Sequence, residues 1–388
     1  MDEDMQKDNV AAFAGSKPHY ELLDGLRGVA ALMVMWFHVF EAFATSPVDQ
    51  RVNHGYMAVD FFFILSGFVI GYAYDDRWGK GMTVKGFFRR RLIRLHPMVI
   101  VGAVLGAVAF CVQGCEKWDG TAVPLAAVGL ALLLNLFLLP VVPGTMPEVR
   151  GNNEMYPLNG PSWSLFFEYI GNILYGLFVR RLRTVALAVL VGVAGAGLAV
   201  FAIGNFSGAG HLGVGWSMID YNLLGGFLRV AFSMSAGLLL SRVFKPMRIR
   251  GAFWLCSAGV VVLLAVPHVG GEERLWLNGI YDTVCVLLFF PLLVYMGASG
   301  KATDPVTSKV CKFLGDISYP LYIVHYPFMY LYYSWVWKNG LTFRESLPGV
   351  AAVFVVSILL AYLFLKVYDE PVRRWLTARS GRKRQVGA

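Results

Sequence analysis

Ten stretches of 17 to 22 predominantly apolar residues constrain this chain more than any other feature. A helix needs about 20 such residues to cross the hydrocarbon core of a bilayer, since each adds about 1.5 Å. The stretches are 22–43, 56–74, 97–113, 161–179, 184–203, 222–240, 252–268, 276–296, 316–337 and 347–366. Composition points the same way. Of 388 residues 57% are hydrophobic and only 15% charged, against about 25% charged in a soluble domain. The class this defines is all-α: a polytopic membrane helical bundle with about ten transmembrane helices. The expected organisation is a cytoplasmic N-terminal tail over 1–21, a transmembrane domain over 22–370 and a basic cytoplasmic C-terminal tail over 371–388.

One further apolar run, 122–139, is ambiguous, and charge arbitrates. If it crosses, the clusters RRLR (180–183) and SRVFKPMRIR (241–250) fall on the opposite side from FFRRRLIR (87–94). If it does not, 27 of the 34 Lys and Arg lie on the cytoplasmic side, six lie outside and Arg229 lies within a span. The positive-inside rule therefore predicts that 122–139 is re-entrant, interfacial or packed on the bundle, with both termini cytoplasmic in the cell membrane. The same rule accounts for the net charge of +9 without a nucleic-acid partner. Loop 140–160, rich in Pro, Gly and Asn, reads as an ordered loop or lid on the outer side. Five cysteines show no metal-ligand spacing, and no metal site is expected; Cys111 and Cys115 are close enough to pair near the outer end of a helix. The acidic start MDEDMQKDNV lacks a basic n-region, so the first apolar run is expected to stay in the mature protein.

Ionisable groups inside spans are costly and usually face a partner, a cavity or the bundle interior. The first span holds Asp24, Arg27 and His38. Arg27 and His38 are eleven residues apart, about 1100° of helical rotation, which places them on one face about 16 Å apart along the axis. Asp24 is spaced to pair with Arg27. Taken singly, Arg27 reads equally as a snorkelling anchor and His38 as an interhelical hydrogen-bonding residue. GFFRRRLIRLHP (86–97) puts Arg89, Arg90, Arg91 and Arg94 at the mouth of the third span, and guanidinium forks match phosphate oxygens. PSWSLFFEYIGNILYGL (161–177) carries Trp163, Ser164 and Glu168. Asp60 and Ser66 in VDFFFILSGFVIGY (59–72), and His325 in ISYPLYIVHYP (317–327), complete the polar residues buried in apolar sequence.

In this order LDGLRGVAALMVMWFH, VDFFFILSGFVI, RRRLIRLHP, PSWSLFFEY and ISYPLYIVHYP resemble the successive helices of the acyltransferase 3 family of integral membrane acyltransferases, over about residues 20 to 370. The resemblance implies a bundle of about ten helices that moves an acyl group, most often acetyl, from acyl-CoA to a hydroxyl of a sugar, glycan, glycolipid or secreted molecule. It implies His38 as the catalytic histidine and carries over Arg27, Arg91, Arg94, Trp163, Ser164 and Glu168. Met98 departs harmlessly from the motif, and no hydrolase-like domain is expected after the last helix.

The expected mechanism has His38 taking the acceptor proton, with Arg27 and Glu168 as further catalytic residues. CoA phosphates dock on Arg90, Arg91 and Arg94 beside Ser66, while Asp60, Trp163, Ser164 and His325 contact substrate. Ser66, Asp60 or Glu168 is available to orient His38. No permanently bound cofactor is expected, acetyl-CoA or another acyl-CoA serving as donor substrate, and membrane lipid surrounds the bundle. The rival reading is a proton-coupled transporter or flippase with His38, Glu168 and Asp60 as a relay. Inverted repeats and paired broken helices, the marks of such transporters, are missing from the sequence.

Overall fold

A computed structural model describes residues 19–385, with side chains described through residue 379. Residues 1–18 of the expected N-terminal tail, and 386–388 of the C-terminal one, lie outside the described residues. Among the described residues there is no strand, only three isolated bridges, and eleven helices succeed one another. They are α1 (Glu21–Glu41), α2 (Ala58–Tyr74), α3 (Val84–Gln113), α4 (Leu125–Leu136), α5 (Ser162–Leu177) and α6 (Thr184–Ile203). Then come α7 (Asn222–Val243), α8 (Ala252–Ala265), α9 (Trp276–Ser299), α10 (Pro305–Asn339) and α11, which starts at Phe343. Helix α11 runs without a break through a π turn at Leu365–Asp369 into Glu370–Gln385. The expected boundary at 370/371 thus falls inside a helix, held by Asp369–Arg373 and Glu370–Arg374 pairs one turn apart.

Seven of these helical segments are long and apolar enough to cross a membrane. The other three of the ten expected runs fall outside that measure for two different reasons. Helices α5 and α8 have only 16 and 14 residues, and α10, with 35, is studded with Tyr, Trp, Lys and Asp. Helix α4 has 12 residues, about 18 Å of rise, too little to cross. Its flanks also sit at one end of the bundle. Before it, Trp118 N–H donates to the Arg150 carbonyl, and after it Glu148 stands 3.8 Å from Lys117. The run 122–139 thus forms a short helix whose flanks meet at one end of the bundle.

Loop 140–160 is ordered, as expected, but it is no surface lid. Val149, Arg150, Met155, Tyr156, Leu158 and Asn159 are all at most 1% exposed. Non-helical backbone is tolerated at membrane depth only when protein surrounds it. Here the sequence supplies the partners. Pro327 inside α10 has no N–H for the Ile323 carbonyl, and Asn159 Nδ2 fills that acceptor at 3.0 Å. Tyr156 Oη donates to the Leu138 carbonyl at 2.7 Å, and Arg150 Nε donates to the Pro157 carbonyl.

Helices α2 and α7 meet through glycine. A Cβ on Gly67 would sit 2.1 Å from the Met234 carbonyl oxygen, and one on Gly237 would sit 2.0 Å from that of Ile64. Each helix therefore lends the other a bare backbone patch, the small-residue contact that lets membrane helices pack closely where lipid offers no hydrophobic drive. This crossing fixes Asp60 and Ser66 of α2 against α7 and α5.

Candidate active site

The three polar residues of α1 occupy two places. At the Arg-rich end, Arg27 Nη1 donates to Asp24 Oδ1 at 3.0 Å, the pairing expected from their spacing, and His19 Nε2 lies 2.7 Å from Asp24 Oδ2. The His19 imidazole lies outside the span, and its bond to Asp24 raises its pKa. These residues line a cavity of about 1600 Å³. Eight Arg and Lys side chains face six carboxylates in its wall, so the cavity is cationic. Arg27, Arg90, Arg91 and Arg94 are all part of that wall, together with Ser66, Ser164 and Glu168. Pro97, in the interior of α3, leaves the guanidinium-bearing turns continuous with the span.

Inside the cavity Arg91 is not a free cation. Its Nη2 donates to Glu168 Oε1 at 2.7 Å, and Ser66 Oγ donates to the same oxygen at 2.7 Å. Arg91 is 7% exposed, so α3, α2 and α5 are tied by one neutralised pair in the wall. A lone carboxylate or guanidinium there would bear the full cost of desolvation; together each offsets the other's charge. Arg94, by contrast, is exposed.

The inner end of the cavity is Ser164 and Tyr322, whose hydroxyls stand 2.8 Å apart. Beyond Tyr322, along the same face of α10, lies His325, and beyond that His38. The Tyr322 and His325 rings are 6.0 Å apart, and those of His325 and His38 are 5.6 Å apart. His38 Nδ1 lies 2.6 Å from Glu41 Oε2, which also accepts from Tyr333 Oη at 2.8 Å. A carboxylate accepts hydrogen bonds, so Nδ1 carries the hydrogen, and in the neutral ring Nε2 holds the lone pair. Glu41, not Ser66, Asp60 or Glu168, orients the imidazole. Sequence reading passed over it, although a carboxylate one turn after His38 in an apolar helix was a signal. Tyr322, Tyr326 and Tyr333 were also missed, because tyrosines in an aromatic-rich helix look like membrane packing.

Asp60 and Trp163 are brought elsewhere. Asp60 is fully buried against Arg229 of α7, which donates from Nη2 at 2.7 Å and from Nε at 3.1 and 3.2 Å. Arg229 also donates to the carbonyls of Val214 and Tyr56 at 2.7 Å each and lies 5.1 Å from the Trp163 ring. Neither Asp60 nor Trp163 lines the cavity. His38, Glu168 and Asp60 thus bond to three different partners, which does not make the connected relay that the transporter reading needs.

A bundle of apolar helices with a cationic cavity at one end and a carboxylate-oriented histidine beyond its inner wall defines a polytopic membrane protein with the groups of an enzyme site. Residues 20–366 match the acyltransferase domain, and the chain belongs to the acyltransferase 3 family of membrane acyltransferases. It is similar to the acyltransferase MdmB of Streptomyces mycarofaciens, 25% identical over 94% of this chain and 93% of that protein. It is also 34% identical to protein 2 in the picA locus of Rhizobium radiobacter, over 41% of this chain and 82% of that one. A candidate O-acetyltransferase of Staphylococcus aureus strain COL is 23% identical over 80% of this chain, which spans about half of that longer protein. No solved structure matches the chain.

Proposed function

We propose that this acyltransferase moves an acetyl group from acetyl-CoA, bound at the Arg-rich end, to a hydroxyl of a sugar-like acceptor that approaches from the other end. The observation that carries the reading is the His38–Glu41 pair standing just beyond the Tyr322 wall of the arginine-lined cavity. A candidate O-acetyltransferase among the similar proteins supports acetyl as the group moved. The excess of Lys and Arg at the cavity end supports an orientation with that end, and both termini, on the cytoplasmic side of the cell membrane, where acyl-CoA is found.

In the reaction the acceptor hydroxyl gives its proton to His38 Nε2 as its oxygen attacks the thioester carbonyl carbon. The C–S bond breaks, the ester C–O bond remains, and the imidazolium returns the proton to the departing thiolate. Glu41 stabilises that imidazolium while holding the ring in one orientation. Ser164 Oγ can donate to Tyr322 or to the Pro161 carbonyl at 3.0 Å. When it donates to Tyr322, the phenol hydrogen is free to meet the developing oxyanion. Arg90 and Arg94 take the CoA phosphates, while Arg91, paired with Glu168, shapes the channel below them.

The test is release of CoA from labelled acetyl-CoA by purified protein, comparing wild type, His38→Ala and Arg91→Ala. Cleavage by wild type that disappears in His38→Ala supports the role of the imidazole. Undiminished cleavage by that variant would remove His38 from the mechanism, and no binding of any acyl-CoA would sink the donor assignment.

A further inference from the structure

His325 is fully buried on α10, one turn beyond Tyr322. Its Nδ1 lies 3.0 Å from the Leu321 carbonyl oxygen. A carbonyl oxygen only accepts, so Nδ1 carries the hydrogen and the neutral ring presents a bare lone pair at Nε2. That nitrogen has no hydrogen-bond partner. His38 likewise directs its Nδ1–H at a fixed acceptor, Glu41. The two imidazoles stand 5.6 Å apart with planes 27° apart, and the Tyr326 ring lies edge-on to both, at 4.6 and 5.8 Å. Two imidazoles therefore stand side by side, and the Nε2 of His325 is left without a partner. Buried polar atoms ordinarily have partners, and an orphan beside a reaction centre needs explaining.

A single hydroxyl has one proton and cannot satisfy both rings. We propose that His325 is an acceptor-binding residue whose Nε2 receives a hydrogen bond from a second hydroxyl, next to the one that His38 deprotonates, so that the enzyme selects vicinal diols. The inference rests on the acyl-transfer reading above. The ring spacing suits it: two imidazoles with centroids 5.6 Å apart can each hold one of the two neighbouring oxygens of a 1,2-diol. His325 does not relay the proton of His38 in this structure, because its Nε2 bonds to nothing. Nor is it a satisfied packing histidine, for the same reason.

The experiment uses full-length protein in nanodiscs, saturating acetyl-CoA, and cis-1,2-cyclohexanediol or cyclohexanol as probes, with ester product measured by mass spectrometry. Wild type is expected to favour the diol in kcat/KM by about tenfold or more, the worth of one good hydrogen bond. His325→Phe, which fills the space without the nitrogen, should erase that preference by raising KM for the diol while KM for acetyl-CoA holds. His325→Gln, whose amide oxygen can take the place of Nε2, should restore part of it. Equal use of the two alcohols by wild type overturns the inference without touching the donor chemistry. So does a His325→Phe variant whose kcat falls alike for both alcohols with a displaced pH profile, since that marks a proton-handling role. Failure of wild type to cleave acetyl-CoA at all, by contrast, removes the acyl-transfer reading and this inference with it.

Discussion

Glu41 Oε2 stands 2.6 Å from His38 Nδ1, one turn further along the same helix, and Tyr333 of α10 donates to that carboxylate at 2.8 Å. The imidazole is thereby fixed in tautomer by its own helix and in place by another. Replacing Glu41 with Gln keeps the shape but allows the amide to offer a hydrogen to Nδ1, which favours the tautomer with its lone pair on the wrong nitrogen. The expected result is a fall in kcat on the order of 10³- to 10⁴-fold, as in other carboxylate–histidine pairs, with KM for acetyl-CoA little changed. Stopped-flow or discontinuous release of CoA measures both. A variant within twofold of wild type would show that the carboxylate has no part in orienting the base.

Asp60 and Arg229 should behave as structure and not as machinery. Both are fully buried and bonded to each other. Removing one partner leaves an uncompensated charge at a cost of about 3–5 kcal/mol. Asp60→Asn and Arg229→Met should each lower the thermal midpoint in detergent, and combining them should recover part of the loss. Activity per folded molecule in the double variant should survive. If Asp60→Asn instead abolishes turnover at an unchanged midpoint, Asp60 belongs to the chemistry after all.

Much of this was legible in the sequence, and what was not has physical causes. Periodicity within one helix correctly pairs Asp24 with Arg27, and the run that the balance of Lys and Arg sets apart, 122–139, holds a helix of only 12 residues. What no single helix discloses is which neighbour it meets. Asp60 read as a site residue because its counter-ion Arg229 lies 169 positions away on α7, in a register set by Gly67 and Gly237. Loop 140–160 read as an ordered loop or a lid because its polar composition resembles a surface loop. Its acceptors and donors are instead spent inside the bundle, on carbonyls such as that of Ile323. Glu41 is the one omission that spacing could have repaired.

The glycine crossing of α2 and α7 makes a sharp stability prediction. A Cβ at Gly237 meets the Ile64 carbonyl oxygen at 2.0 Å and the Phe68 backbone nitrogen at 2.7 Å, neither of which can turn aside. Gly237→Val should force the helices apart, at a cost of at least the 1–3 kcal/mol of an overpacked core. Because Ser66 adjoins Gly67 and holds Glu168, donor binding should weaken with stability. Retention of both the wild-type midpoint and acetyl-CoA affinity would show that α2 and α7 are further apart than described. Gly79, with open space around it, is the control and should accept Ala without effect.

Glu154, in the loop that fills the bundle, makes stability depend on pH. Burial raises its pKa to about 7 from an ordinary 4.5, against the lowering effect of the hydrogen bond from Tyr330 and the charge of Arg150. The folded protein therefore holds this proton more tightly than the unfolded chain does. For a raised pKa the associated stabilisation is complete below about 4.5 and is lost as pH climbs through about 7, amounting to about 3 kcal/mol across the window. Glu154→Gln keeps an acceptor for Tyr330 and removes the titration. Between pH 5 and 8 the midpoint of wild type should fall relative to that of the variant, and the two curves should run parallel above pH 8. Parallel curves throughout the range would mean that the carboxylate is ionised at every pH tested, held by Arg150 more strongly than burial opposes it.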